Sequence, residues 1–344
     1  LFLVIGCKNE APKQPKIEIK QPVNAEKAMV VSAREEASKI GIEILQKGGN
    51  AFDAMIGTQL ALAVVYPYAG SLGSGGFMVY RTQYGEIGTF DYREKAPLAA
   101  TKNMYLDEHG EYLSEKSKVG GLAVGVPGTI AGIFAIHEKL GSLPLEEIFE
   151  PVIRLANNGF PVTELQVKRF QEFKTIFEEV NSETSLFTKE YQVGDTLKNI
   201  ALANTLRKIL KNGRAEFYQG EIGKMFVNFI QAKGGIITME DLNAYEAVWR
   251  EPIVFHYKDL RVISMPPPSS GGVCLAQILK MVEPFPISEY GHNTEKYIQV
   301  ITEAERRAYA DRSYYLGDPD FVYNPIDSLM DDDYLINRMS SFSF

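Results

Sequence analysis

Hydrophobic positions along the chain switch repeatedly between helical and strand periods, and glycines mark most of the changes. Ser32 can cap a helix whose face is Ile40, Ile44 and Leu45, and Gly48-Gly49 ends it. Ala51 to Val65 is apolar on nearly every face. It is too short to cross a bilayer and is interrupted by Asp53, Thr58 and Gln59, so it predicts a buried helix. Phe77–Arg81 and Ile87–Tyr92 are rich in β-branched and aromatic residues around a turn at Gln83-Tyr84-Gly85, which predicts a hairpin. The middle is helical: Leu202, Leu206, Ile209 and Leu210 share one face until Gly213. Ile222, Met225, Phe226, Phe229 and Ile230 share another until Gly234-Gly235. Ile253–Tyr257 and Arg261–Ser264 predict a second hairpin about Lys258-Asp259. A last long helix spans Thr294 to Tyr315, with Ile298, Ile301, Ala304 and Ala308 as its stripe. No repeat period is present, and helix pairs alternating with hairpins point to α+β or α/β layers around an antiparallel sheet.

Composition narrows the function classes. With 45% hydrophobic and 23% charged residues, the 344-residue chain can bury a large core. The net charge of −8 and the scatter of basic residues make nucleic acid an unsuitable partner. Two cysteines, Cys7 and Cys274, build neither a disulfide framework nor a cysteine zinc site. No pair among His109, His137, His256 and His292 is spaced i, i+4, so the histidines do not support metal catalysis. No metal or other cofactor is expected.

Both ends read as cut. Residues 1–7 close on Val4-Ile5-Gly6-Cys7, which resembles the end of a bacterial lipoprotein signal with Cys7 as the lipidated residue. Residues 8–27, rich in Lys, Glu and Pro, read as a flexible tether to the envelope membrane. The plain alternative is a buried strand fragment that happens to hold a Cys. Cys274 reads as a core thiol. At the far end, Asp331-Asp332-Asp333 opens a helix, and no terminal strand or capping turn follows it before Phe344.

Four segments invite chemistry, each with a bland counterpart. The glycine cluster Gly70-Ser71-Leu72-Gly73-Ser74-Gly75-Gly76 follows a helix and opens a strand, the reverse of a nucleotide fingerprint. Tight turning and close backbone approach explain it better. Arg93, in Asp91-Tyr92-Arg93-Glu94, could fork onto a substrate carboxylate or could pair on the surface with Asp91 or Glu94. Ser269-Ser270-Gly271-Gly272, after three prolines, could line a site that receives an anion, or could form a rigid loop with a Ser cap. Asp311 to Asp320 superficially resembles a calcium loop but lacks the central Gly and closing Glu, so a helix end with a turn is the better reading.

In order along the chain stand Gly48-Gly49-Asn50-Ala51-Phe52-Asp53-Ala54, Gly73-Ser74-Gly75-Gly76-Phe77-Met78 and Asp91-Tyr92-Arg93-Glu94. Gly125-Val126-Pro127-Gly128-Thr129, Met265 to Gly272, and Ala308-Tyr309-Ala310-Asp311-Arg312 with Leu316 to Phe321 follow. Together they resemble the large-subunit portion of a gamma-glutamyltranspeptidase over residues 28–344. The resemblance implies an N-terminal-nucleophile hydrolase fold, α+β, a four-layer αββα sandwich. It implies a precursor that cuts itself into large and small subunits. The new N-terminal Thr of the small subunit would attack the γ-glutamyl amide of glutathione and pass the acyl group to water, an amino acid or a peptide. By the same resemblance Arg93 grips the substrate α-carboxylate, and the Met265–Gly272 loop lies near the site.

One departure is large: the Thr-Thr-His-type start of the small subunit occurs nowhere in this chain. No catalytic residue is therefore assigned, and the chain alone is expected to be inactive with part of its central sheet uncovered. The expected partners are glutathione, related γ-glutamyl compounds, their acceptors and the small subunit of the same precursor. The expected location is the bacterial periplasm or cell envelope, through the lipid anchor. A sibling acylase cutting glutaryl or cephalosporin-type side chains is the second reading. Arg93 argues against it because a glutaryl group has no α-amino acid head. A non-catalytic lipoprotein remnant is the third.

Overall fold

Helix α1 (Glu35–Gln46) and helix α2 (Ala51–Val65) open the computed structural model, which describes residues 22–181 and 184–344. The two helices pack along each other and cross closely because small residues meet there. A methyl group at Gly41 would lie 2.5 Å from Thr58 Oγ1, and one at Gly57 would strike Ile44. Helix α2 starts in a capping box: Asn50 Oδ1 accepts from the amides of Phe52 and Asp53, and Asp53 accepts from Asn50 N at 2.8 Å. The expected cap at Ser32 is not formed. Helix α1 begins after Arg34, whose backbone is extended, while Ser32 Oγ bonds Arg34 O and Ser38 Oγ. Arg34 pairs with Glu36 at 2.7 Å and reaches Gln166 at 2.9 Å, which sets the start of the helix.

Strands β1 (Phe77–Arg81) and β2 (Ile87–Asp91) form the first expected hairpin, in register from Phe77↔Asp91 to Arg81↔Ile87. The main-chain pairing continues one residue beyond, where Gly76 and Tyr92 exchange both amide bonds at 3.2 and 3.0 Å. Helices α3 (Thr129–Leu140) and α4 (Leu145–Asn158) follow, then β3 (Phe160–Pro161), α5 (Glu164–Asn181) and β4 (Thr196–Leu197). The helical middle comprises α6 (Ile200–Asn212), α7 (Arg214–Tyr218), α8 (Glu221–Ala232) and α9 (Met239–Asn243). Strand β5 (Val248–Arg250) then returns to lie antiparallel on the other side of β2. The main core joins α1–α4 and α6–α8 to one face of this sheet, where Phe90 stacks on Trp249 with centroids 4.1 Å apart.

The second expected hairpin is β6 (Ile253–Tyr257) with β7 (Leu260–Ser264), starting one residue earlier on its second arm than the pattern predicts. Helices α10 (Gly271–Val282), α11 (Ile287–Tyr290), α12 (Glu295–Tyr315), α13 (Ile326–Leu329) and α14 (Asp332–Met339) complete the order. They form two smaller cores, one of Met281, Val300, Ala304, Ala308, Leu335 and Met339, the other joining α10 to β6. Among the described residues, β1 and β7 each pair on one side only. Phe77 and Val79 of β1 are partly exposed, as in a sheet prepared for a further covering element. Among the described residues no helix is long and apolar enough to cross a membrane.

Candidate active site

Two of the glycine motifs meet the Asp91–Glu94 motif at the end of β2. The side chain of Tyr92 is buried and packs over Gly76 and Gly132, where a methyl group would fall 2.9 and 2.5 Å from it. A methyl at Gly75 would sit 2.5 Å from Tyr92 O and 2.7 Å from Glu94 N, and one at Gly128 would overlap Tyr92 O and Tyr245 Oη. Ser74 O accepts from the amides of Gly128 and Thr129 at 2.9 and 2.8 Å. The glycine cluster is therefore a close-approach device that lets the loop before β1, the start of α3 and the end of β2 press together.

This packing fixes the backbone of Arg93 and leaves its side chain free. Asp91 Oδ1 accepts from Arg93 N at 3.1 Å, and Tyr245 Oη donates to Arg93 O at 2.8 Å. Burial, reinforced by neighbouring Tyr218, pushes the Tyr245 phenol well above its usual value, so it remains a donor. The guanidinium of Arg93 lies exposed, 6.0 Å from the centroid of Phe77. The surface ion pair with Asp91 or Glu94 does not form, and among the described residues no carboxylate lies within 4.0 Å of it. Asp91 is instead committed to Arg250, whose Nε lies 2.9 Å from Asp91 Oδ2.

Arg93 opens onto a cleft of about 560 Å³. One wall is the β2 end, with Glu94 and Lys95. Opposite stand Pro267, Pro268 and Ser270 before α10, and Arg312, Asp318 and Asp320 at the end of α12. Of the four candidates in the Ser269–Gly272 segment, Ser270 lines the cleft, whereas the other three do not. Ser269 Oγ turns back to accept from Gly271 N at 3.2 Å. Gly272 is buried against β6, where a methyl would lie 3.0 Å from Ile253 Cβ. Ser270 does not cap α10 through its side chain. Its Oγ accepts from Arg312 Nε at 2.8 Å.

Arg250 joins the two walls. Besides Asp91, it reaches Asp320 at 3.3 Å. Burial disfavours its charge, but hydrogen bonds to Asp91 and Asp320 outweigh that and raise its already high pKa. Arg250, Arg312 and Tyr245 were not among the residues singled out from sequence as site-forming. Tyr245 lies between elements and Arg250 ends a three-residue strand too short to show a period, while Arg312 reads as an ordinary charge near a helix end. The acidic turn after α12 is the expected helix end, and its Asp318 and Asp320 face the cleft.

Chemically the cleft is a mixed-charge basin. Arg93, Lys95 and Arg312 have no carboxylate within ion-pair distance among the described residues, and Glu94 and Asp318 add negative charge. That arrangement suits a zwitterion. Among the described residues no cluster of three or more His, Cys, Asp or Glu side chains is placed to hold a metal. Cys274 is buried, and burial pushes its thiol above the usual range, so it behaves as a core residue. Cys7 lies outside the described residues.

The family model described as gamma-glutamyltranspeptidase matches residues 37–343. A glutathione hydrolase proenzyme of Escherichia coli is 44% identical over 319 residues, covering 91% of this chain and 54% of its own length. One from Bacillus subtilis is 36% identical, covering 96% and 57%. The chain thus spans about half the length of these curated relatives. Among solved structures, Helicobacter pylori gamma-glutamyltranspeptidase superposes with a TM-score of 0.90 at 40% identity, covering 94% of both chains. A cephalosporin acylase from Bacillus halodurans superposes at 0.79 with 25% identity, covering 97% of this chain and 63% of its own. The chain belongs to the gamma-glutamyltranspeptidase family.

Proposed function

We propose that this chain is the substrate-gripping portion of a gamma-glutamyltransferase and glutathione hydrolase, completed by the small subunit of the same precursor. The observation that carries the reading is Arg93: its backbone is held at both N and O, and its guanidinium lines the cleft with no carboxylate in ion-pair distance among the described residues. A γ-glutamyl donor brings an α-carboxylate for that fork and an α-ammonium for the acidic residues of the cleft. In this reading the small subunit supplies the Thr nucleophile. Its hydroxyl oxygen bonds to the γ-carbonyl carbon, the C–N bond breaks, and the leaving amine takes up the proton released by the hydroxyl. Water or an amine then displaces the acyl group from the Thr oxygen. The same subunit would cover β1 and complete the αββα layers.

The acylase likeness requires a discriminator. A glutaryl group carries the distal carboxylate that Arg93 would accept, so Arg93 alone does not divide the two readings, contrary to the expectation from sequence. The ammonium does, because a glutaryl group has none to offer to the acidic residues of the cleft. Hydrolysis of γ-glutamyl anilide and glutaryl anilide by the processed full-length precursor decides between them. Faster γ-glutamyl turnover supports the proposal, and faster glutaryl turnover overturns it. The envelope location through lipid on Cys7 is part of the proposal. A Cys7→Ala precursor that still enters the membrane fraction would contradict it.

A further inference from the structure

Among the described residues, the cleft contains a second guanidinium without an acidic partner. Arg312 lines the same cleft as Arg93, exposed, with its Nε tied to Ser270 Oγ at 2.8 Å. That bond engages Nε alone and leaves both terminal nitrogens, with four N–H donors between them, without a protein acceptor among the described residues. The third arginine of the cleft, Arg250, is consumed by Asp91 and Asp320 and holds the walls together. Two arginines lining one cleft of about 560 Å³, neither with a carboxylate partner among the described residues, match a ligand with two carboxylates better than a ligand with one.

We infer that Arg312 is a second carboxylate-binding residue, which selects γ-glutamyl donors whose leaving group itself ends in a free carboxylate. The inference rests on the proposed function, with Arg93 taking the α-carboxylate of the γ-glutamyl half. The ligand class is then a γ-glutamyl peptide with a free C-terminus, the tripeptide glutathione being the simplest case with a dipeptide leaving group. Ser270 acts as a positioning residue: its Oγ accepts from the guanidinium Nε and leaves the two terminal nitrogens open to a ligand. Arg312 thereby sets leaving-group specificity and takes no part in bond making.

The test uses the full-length, self-processed enzyme and three donors: glutathione, glutathione with its C-terminal carboxylate amidated, and γ-glutamyl p-nitroanilide. The wild type is expected to favour glutathione over its amide by about tenfold or more in kcat/KM, the value of a charge-assisted fork. In Arg312→Ala that preference collapses to near one, and glutathione loses about tenfold more than the anilide does. Arg312→Lys retains part of the preference because it keeps charge but loses the fork. Ser270→Ala weakens the preference without changing the charge. Equal losses on all three donors in Arg312→Ala would overturn the inference, because that pattern belongs to a structural or subunit contact. A wild type that does not distinguish the acid from the amide would overturn it too. A wild type that turns over none of the three would overturn the proposed function itself, and the subsite with it.

Discussion

Replacing Arg250 by Met tests whether the cleft is held open by a charge bridge. The side chain of Arg250 is 13% exposed and that of Asp91 is 9% exposed, with 2.9 Å between Arg250 Nε and Asp91 Oδ2. A charge-assisted hydrogen bond of this kind contributes about 1.5 to 3 kcal/mol. Asp320 adds little: its side chain is 43% exposed at 3.3 Å, in the class of surface pairs that contribute about 0 to 1 kcal/mol. Met fills most of the volume, so the packing loss is small and the larger cost is a nearly buried Asp91 left with one amide donor. The expected loss is about 2 to 4 kcal/mol, read by guanidinium denaturation of the processed enzyme. Asp320→Asn should cost under about 1 kcal/mol on the same scale. A functional effect should accompany it. Asp91, released, becomes the nearest anion for the side chain of Arg93, two residues on, so KM for a γ-glutamyl anilide should rise several-fold while the preference among leaving groups stays. A loss below about 0.5 kcal/mol with an unchanged KM would refute the bridge as a structural element.

Further outcomes follow from the packing. Gly128→Ala should cost about 2 to 3 kcal/mol and raise KM, because its methyl meets the backbone carbonyl of Tyr92 and the hydroxyl that holds Arg93 O, neither of which can yield freely. Tyr245→Phe should lose about 1 kcal/mol at pH 7 with the bond to Arg93 O. The folded phenol has its pKa raised above the ordinary 10.0, so its contribution is complete below about pH 10 and declines as pH rises further, when the unfolded chain releases its proton first. Denaturation at pH 8 and 10.5 should therefore show a shallower alkaline decline in Tyr245→Phe than in the wild type. Asp53→Ala should cost about 3 kcal/mol by thermal unfolding, since it strands the amides of Ser142 and Leu143 and leaves Asn50 N with only the Ser142 hydroxyl.

Local structure was legible where one physical signal dominated. The all-apolar run locates α2 to its boundaries because most of its faces meet protein, whereas the Asn50–Asp53 capping box that starts it emerges only in the structure. Both hairpins followed from β-branched runs about short turns. The start of α1 was misplaced because Ser32 is a good cap by type, while the helix start was set by Arg34 reaching across to Gln166, a tertiary contact no local pattern announces. The site was legible only through the resemblance. Arg93 by itself reads as a surface charge; what makes it available is that Asp91, two residues earlier, is drawn to Arg250 from a strand 159 positions away. Arg312 was hidden for the same reason, since its partner Ser270 lies 42 positions earlier. The Gly70–Gly76 cluster was readable as a close-approach point, but what Gly75 shares with Gly128, contact with the backbone after β2, emerges only in three dimensions.

The central claim is that Arg93 grips the α-carboxylate of a γ-glutamyl donor, and a cycle of substrate and enzyme changes tests it most directly. The processed wild type and Arg93→Ala are each assayed with γ-glutamyl p-nitroanilide and with the analogue lacking only the α-carboxylate, 4-aminobutanoyl p-nitroanilide. If the fork exists, removing either partner costs about 2 kcal/mol or more in kcat/KM, and removing both costs scarcely more than removing one. Losses that simply add would show that Arg93 and the carboxylate never meet, and would contradict the account.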